Sequence, residues 1–114
     1  MENAIEYTVL NYLLNNLQVP VYMEEPEKEI PVQYVLIEKT GSSKQNFIRS
    51  ATFALQSYGG TLEQAIDLNE TVKAVMDAFW QHQAVYSCKL DSDYNYTDTE
   101  TKRYRYQAVY HITY

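Results

Sequence analysis

The sequence contains a single cysteine, Cys88, among 114 residues. One cysteine cannot form a disulfide within the chain, and such scarcity is typical of proteins from a reducing compartment. The acidic start, from Met1 to Tyr7, has neither the basic region nor the apolar core of a secretory signal peptide. We therefore expect a protein of the cytosol.

Positive charge and long apolar runs are also lacking. Nine lysines and arginines face fifteen aspartates and glutamates, which gives a net charge of −6. Generic binding to nucleic acid requires a basic surface, and anionic membranes would repel this chain. No apolar run approaches the roughly 20 residues of a membrane span. We expect neither a membrane protein nor a DNA-binding protein.

Motifs that carry catalysis are missing as well. The chain has no glycine-rich phosphate loop, nucleophile elbow or pair of zinc ligands. Its two histidines, His82 and His111, have no second ligand at a useful spacing, and Cys88 is predicted to be a buried, inert thiol. We expect no enzyme, no cofactor and no structural metal.

One segment resembles the opening of a calcium-binding loop, because Asp91, Asp93 and Asn95 alternate along the chain. The pattern then departs from such loops, with Tyr96 where glycine makes the sharp turn and Lys102 where a bidentate glutamate belongs. A weak surface contact with Mg²⁺ or Ca²⁺ stays open, beside the plainer interpretation of a solvated strand face.

The first third of the chain predicts a helix and a short strand. Asn3 and Glu6 are suited to a helix start, and apolar residues then recur at helical spacing from Ile5 to Leu17. The helix is expected to end before Pro20. A short strand over 19–23 leads into an acidic loop over 24–29.

The middle of the chain predicts an antiparallel hairpin followed by a second helix. Strands over 32–39 and 47–58 flank the segment 40–46, which is rich in glycine and serine and is predicted to be a flexible loop. Thr61 and Gln64 form a capping-box pattern that starts a helix over 61–81. Its predicted apolar face is Leu62, Ala65, Ile66, Val72, Val75, Met76 and Phe79.

The end of the chain carries an alternating stripe of tyrosines, from Tyr104 to Tyr114, which suits a half-packed, half-wet surface. The segment 85–96 alternates too, so the two predict a hairpin with its turn over 97–101. A turn centred on Glu100 brings the two aromatic faces together. The pairs are then Tyr96 with Tyr104, Tyr94 with Tyr106, Leu90 with Tyr110 and Cys88 with Ile112, with Asn95 and Asp93 beside Arg105 and Gln107 on the polar face.

These elements predict one α+β domain over residues 1–114, a mostly antiparallel sheet with two helices on one face. The succession of Val19–Pro26, Tyr34–Gly41, Ala51–Tyr58 and Asp93–Tyr110 around a capped helix resembles the tail-completion or tail-terminator proteins of long-tailed bacteriophages and prophages. The resemblance spans nearly the whole chain. It implies the same α+β plan and no catalytic residues.

The resemblance also implies partners and places. Such proteins form a ring, usually a hexamer, that ends the tail tube and joins it to the head connector, in the host cytoplasm and then in the virion. DNA passes through without specific binding, and a negative lumen would repel it. The alternatives are another neck component, such as a head-completion or minor tail protein, or a small cytosolic ligand-binding module or enzyme. The candidate contact residues are Gly41, Ser42, Ser43, Lys44, Asp98, Lys102, Arg103, Arg105 and Tyr114.

Overall fold

The computed structural model describes residues 4–81 and 85–114. They form two α-helices, five strands and one 3₁₀ turn. In chain order they are α1 (Ile5–Asn16), β1 (Val21–Tyr22), β2 (Tyr34–Gln45), β3 (Ile48–Gly59), α2 (Leu62–Met76), a 3₁₀ turn (Phe79–Gln81), β4 (Ser87–Asn95) and β5 (Tyr104–Thr113). Asn3, the predicted helix cap, and His82 lie outside the described residues.

The strands form one sheet in the order β1-β2-β3-β5-β4. All neighbouring pairs are antiparallel except β1 and β2, which run parallel. Both helices pack on the same face, α2 across β3 and β5 and α1 across β1 and β2. The predicted α+β architecture is therefore confirmed.

The core lies between this covered face and the helices. Alternate residues of the central strands point into it, so Phe53 pairs with Tyr110 and Leu55 with Ala108 at the middle of the sheet. The fully buried side chains, largest first, include Tyr110, Phe53, Phe79, Leu13, Leu55, Met76, Ile112, Val9 and Val72. The predicted inward face of β3 is confirmed by the burial of Ala51, Phe53 and Leu55.

Helix α1 begins after Ala4, whose side chain makes no capping bond, and it ends before Pro20 as predicted. Its buried stripe is Ile5, Val9 and Leu13. The Tyr12 hydroxyl donates to the backbone oxygen of Val75, 2.6 Å away, which ties α1 to α2.

Helix α2 is shorter than the predicted span 61–81. It ends at Met76, where the backbone N–H of Asp77 bonds to Lys73, and the chain continues as the 3₁₀ turn. The predicted apolar face was also partly wrong, since Leu62 and Ile66 are 38% and 36% exposed. The buried face instead runs through Ala65, Leu68, Asn69, Val72 and Met76.

The start of α2 follows the predicted capping pattern. The Thr61 hydroxyl accepts the backbone N–H of Gln64 at 3.1 Å, and the Gln64 side chain accepts the N–H of Gly60 at 2.9 Å. We expect Thr61→Ala to lower the free energy of unfolding by about 1 kcal/mol, because one orphan amide loses its partner. Urea denaturation measures the change. Thr61→Ser, which keeps the hydroxyl, should stay near the parent, and equal losses in both variants would contradict the cap.

The hairpin of β4 and β5 follows the predicted register only over the half that lies away from its turn. Cys88 pairs with Ile112 and Leu90 with Tyr110, as expected. A β-bulge between Leu90 and Ser92 then adds one residue to β4, so Asp93 pairs with Ala108. The predicted pairs of Tyr94 with Tyr106 and Tyr96 with Tyr104 are therefore wrong. Tyr94 pairs with Gln107, and Asn95 pairs with Tyr106.

The bulge moves Asp93 from the predicted polar face to the face that α2 covers. There its carboxylate accepts from Lys73 Nζ and from Asn69 Nδ2, both at 2.9 Å. The Lys73 ammonium, against the opposing effect of burial, holds the pKa of Asp93 below its usual value. This salt bridge and hydrogen bond thus link β4, the strand at the edge of the sheet, to α2.

Candidate assembly surfaces

The hairpin of β2 and β3 extends well beyond the body of the sheet. Each strand has twelve residues, which corresponds to roughly 40 Å at about 3.3 Å per residue. The molecule measures 44 Å along its longest axis against 26 and 23 Å along the others. Strand β5 ends at Thr113, opposite Ser50, and β1 pairs only as far as Leu36. We call the end of this hairpin, residues 41–50, the arm; residues 44–49 lie beyond the last pair of β3 with β5, Ser50 with Thr113.

The arm corrects the prediction of a flexible loop over 40–46. The candidate contact residues Gly41, Ser42, Ser43 and Lys44 are strand residues, paired in order with Thr52, Ala51, Ser50 and Arg49. The sequence lacked the apolar alternation of a strand there because no layer covers either face of the arm. Asn46, which tolerates a positive φ, was the available signal for a tight turn.

The tip of the arm is a two-residue turn with an unusual second residue. Gln45 pairs with Ile48, so Asn46 and Phe47 form the connection, with φ of 52° and 67°. A two-residue hairpin with positive φ at both positions normally takes Asn-Gly, and a bulky side chain there is strained. Phe47 is nevertheless 92% exposed and Ile48 58% exposed. The arm therefore presents apolar side chains that do not contribute to the core.

The face of the sheet opposite the helices carries a network of tyrosine, glutamine and arginine side chains. Tyr34 and Tyr58 stack with ring centroids 4.4 Å apart and planes 8° from parallel. The Tyr58 hydroxyl donates to Gln56, whose amide in turn donates to Gln107 at 2.9 Å. Burial raises the pKa of Tyr58, so its phenol stays protonated as this donor requires.

Two predicted contact residues, Arg103 and Arg105, are engaged within this network. Arg103 donates to Glu25 at 3.0 Å and to the hydroxyl of Tyr34, and its guanidinium lies 4.9 Å from the ring centroid of Tyr58. Arg105 donates to the Tyr58 hydroxyl at 2.8 Å and to the backbone oxygen of Tyr96 at 2.7 Å. Their side chains bind this chain's own residues.

Of the remaining predicted contacts, Asp98 and Lys102 lie in one turn and Tyr114 lies apart from them. Asp98 accepts the backbone N–H of Glu100 at 3.0 Å inside the β4–β5 turn, and Lys102 in that turn is exposed with φ of 54°. Tyr114 is at the base of the arm, with the Arg49 guanidinium 4.8 Å from its ring centroid. The structure therefore brings Tyr114 near the arm and places Asp98 and Lys102 with Arg103 in the turn.

A groove of about 860 Å³ opens beside the outer edge of β2, a surface that the sequence did not predict. Its apolar lining includes Tyr7, Tyr22, Met23 and Ile37. Its acidic residues are Glu6, Glu24, Glu25, Glu27 and Glu38, and its single basic residue is Lys39. The acidic loop 24–29 therefore contributes one wall of a groove.

Strand β1 ends at the groove, which its last residue, Tyr22, helps to line. It pairs only Val21 and Tyr22 with β2, opposite Val35 and Leu36. Within residues 4–81 and 85–114, the outer edge of β2 has no strand partner from Ile37 onward. The groove thus combines an open strand edge with apolar and acidic side chains.

No metal cluster is present in the part of the chain that the structure describes, where no three His, Cys, Asp or Glu residues are grouped to hold an ion. The alternation that suggested a surface site at Asp91, Asp93 and Asn95 is broken by the bulge. The Asp93 carboxylate accepts hydrogen bonds from Lys73 and Asn69 instead.

Cys88 is a half-buried thiol against the core. Burial raises the pKa of the Cys88 thiol from 9.0 to about 12. Since each pKa unit lowers the thiolate fraction tenfold, we expect labelling by a disulfide reagent at pH 8 to be slower than in the denatured chain by at least about a hundredfold. A rate similar to that of the denatured chain would contradict this placement.

Comparison of the sequence with protein-family models gave no match, and comparison with curated proteins gave none either. Among the described helices, none is both long enough and apolar enough to cross a membrane.

Proposed function

We propose that this chain is a structural assembly protein that closes the tail tube of a long-tailed bacteriophage or prophage as a ring and joins the tail to the head. The observation that carries the proposal is the arm. At its tip, Phe47 is 92% exposed and has a positive φ. Both features lower the stability of the isolated chain. An apolar side chain at the end of a projecting hairpin is suited to insertion into another protein surface.

The resemblance of the sequence to tail-terminator proteins indicates which assembly this would be. The succession of strands and capped helix that resembles tail-terminator proteins corresponds to the order of elements in the structure. A ring, usually of six copies, would present one arm from each copy. Two faces of such a ring would then contact the tail tube and the head connector.

The charge of the chain is suited to a passage for DNA. With a net charge of −6, an assembled ring would repel phosphate rather than hold it. We expect no binding of duplex DNA by the assembled ring at physiological salt, and a fluorescence-anisotropy titration measures this. Tight binding would contradict a lumen that lets DNA pass.

The direct test adds the purified chain to tail-tube protein from the same genome while the tube polymerises. Electron microscopy should show shorter tubes, each with extra density at one end. A Phe47→Gly variant, which keeps the turn and loses the apolar tip, should leave long, uncapped tubes. Unchanged tube lengths with the parent chain, or binding to the head connector but not to the tube, would contradict the proposed role.

A further inference from the structure

The groove beside β2 and the arm tip are complementary surfaces of the same chain. The arm, residues 41–50, contains Lys44 and Arg49 and no acidic residue. The groove has five glutamates and one lysine. Opposite charges of this kind steer association and select the partner.

Part of the acidity of the groove is not neutralised within the chain. Glu6 pairs with Lys39 at 3.2 Å and Glu25 pairs with Arg103 at 3.0 Å. Among the described residues, Glu24, Glu27 and Glu38 form no salt bridge. These three carboxylates are available to a cation from outside the chain.

The groove also fits the apolar part of the arm. A volume of about 860 Å³ is at the upper end of the roughly 300–1,000 Å³ typical of binding pockets. Tyr7 and Met23 in its lining are 49% and 40% exposed. An inserted Phe47 would cover these surfaces and would itself leave water.

The arm cannot reach the groove of its own chain. The groove touches β2 at Ile37–Lys39, and Phe47 follows eight residues later along the same hairpin, beyond a register shift between Lys39 and Gly41. That separation is roughly 25 Å at about 3.3 Å per residue. The two surfaces can meet only between copies.

We propose that the groove beside β2 receives the arm tip of a second copy, with Phe47 among the apolar lining and Lys44 at the carboxylates of Glu24, Glu27 and Glu38. This inference rests on the proposal that the chain assembles with itself, and it names the two surfaces that meet. Because arm and groove are different surfaces, one copy can use them with two different neighbours, which gives a head-to-tail contact, whereas reciprocal exchange of arms would give a closed dimer. The head-to-tail contact closes into a ring when its rotation divides a full turn.

A photocross-link tests the contact directly. Benzoylphenylalanine at position 47 is illuminated in an equal mixture of ¹⁴N- and ¹⁵N-labelled chains. We expect mixed-isotope links from the arm peptide 45–49 to the tryptic peptides 1–28 or 29–39, at residues that line the groove. Links that map to β4 or to α2 in chains that still associate would overturn the docking site and leave self-assembly intact.

Charge reversal provides an independent test by sedimentation velocity. Lys44→Glu and Glu27→Lys should each weaken association about tenfold, and the double variant should recover most of the loss. Lys89→Glu, an exposed lysine on β4, is the matched control and should leave association unchanged. A double variant weaker than either single one would overturn the pairing of arm and groove. A chain that stays monomeric at high concentration, both alone and with tail-tube protein, and gives no mixed-isotope link would overturn both this inference and the proposed function.

Discussion

Shortening the arm is expected to abolish self-association while the domain stays folded. The variant replaces residues 44–49 by Asn-Gly, so Ser43 and Ser50, already paired, flank a two-residue turn of the favoured type. It removes Lys44, Phe47 and Ile48, which are all exposed. It also removes the hydrogen bond from the Tyr114 amide to the Arg49 oxygen, a cost of about 1 kcal/mol.

The measurements are urea unfolding for the fold and sedimentation velocity for association. Phe47→Gly is the control for the tip alone. It should stabilise the fold by about 1 kcal/mol, because glycine adopts the positive φ without strain, and it should still weaken association. Full association by the shortened chain would contradict the role of the arm. Deleting Gly41–Lys44 alone is a poorer test, because it removes one strand of the pairing and would shift the register of β2 against β3.

Replacing Arg103 by methionine is expected to destabilise the fold by about 2 kcal/mol. The guanidinium donates to Tyr34, pairs with Glu25 and lies over the ring of Tyr58, so methionine would leave the buried phenol of Tyr34 without this donor. The ion pair contributes the smaller share, because both side chains are more than a third exposed. Urea unfolding of the Arg103→Met variant measures the loss. Lys89→Met is the control, and equal stabilities would contradict an internal role for Arg103.

The same network makes the stability of the fold depend on pH. Although burial opposes it, Arg103 together with the hydroxyls of Tyr58 and Tyr34 holds the pKa of Glu25 below its usual 4.5. A carboxylate with a lowered folded-state pKa contributes stability above its unfolded pKa, and that stability is lost as pH falls through the folded value. We therefore expect the stability difference between the parent and Arg103→Met to shrink below pH 4.5. A difference that grows on acidification would contradict this sign.

The sequence was sufficient to predict the covered face and the order of elements, because an element with one buried side has apolar residues at a regular spacing. Alternation at Ala51, Phe53 and Leu55 marked β3, and the cap at Thr61 marked the start of α2. The hairpin pairing at Cys88 and Leu90 also followed from matching aromatic faces. In each case one side of the element is apolar because a neighbouring layer covers it.

The surfaces proposed for assembly have no such regular spacing of apolar residues. The arm is exposed on both sides, so its strands do not alternate, and residues 40–46 resembled a loop. The bulge after Leu90 depends on a contact of Asp93 with Lys73 on α2, which is distant in sequence. The groove joins α1, the segment after β1 and the edge of β2, and only the folded chain brings these together.

Sedimentation velocity of the unmodified chain, alone and with tail-tube protein, tests the central claim most directly. We predict that mass rises with concentration, or on addition of the tube protein, toward a ring of several copies. Association should weaken at high salt, because Lys44 faces carboxylates across the proposed contact. A chain that remains a monomer under all of these conditions would contradict the account.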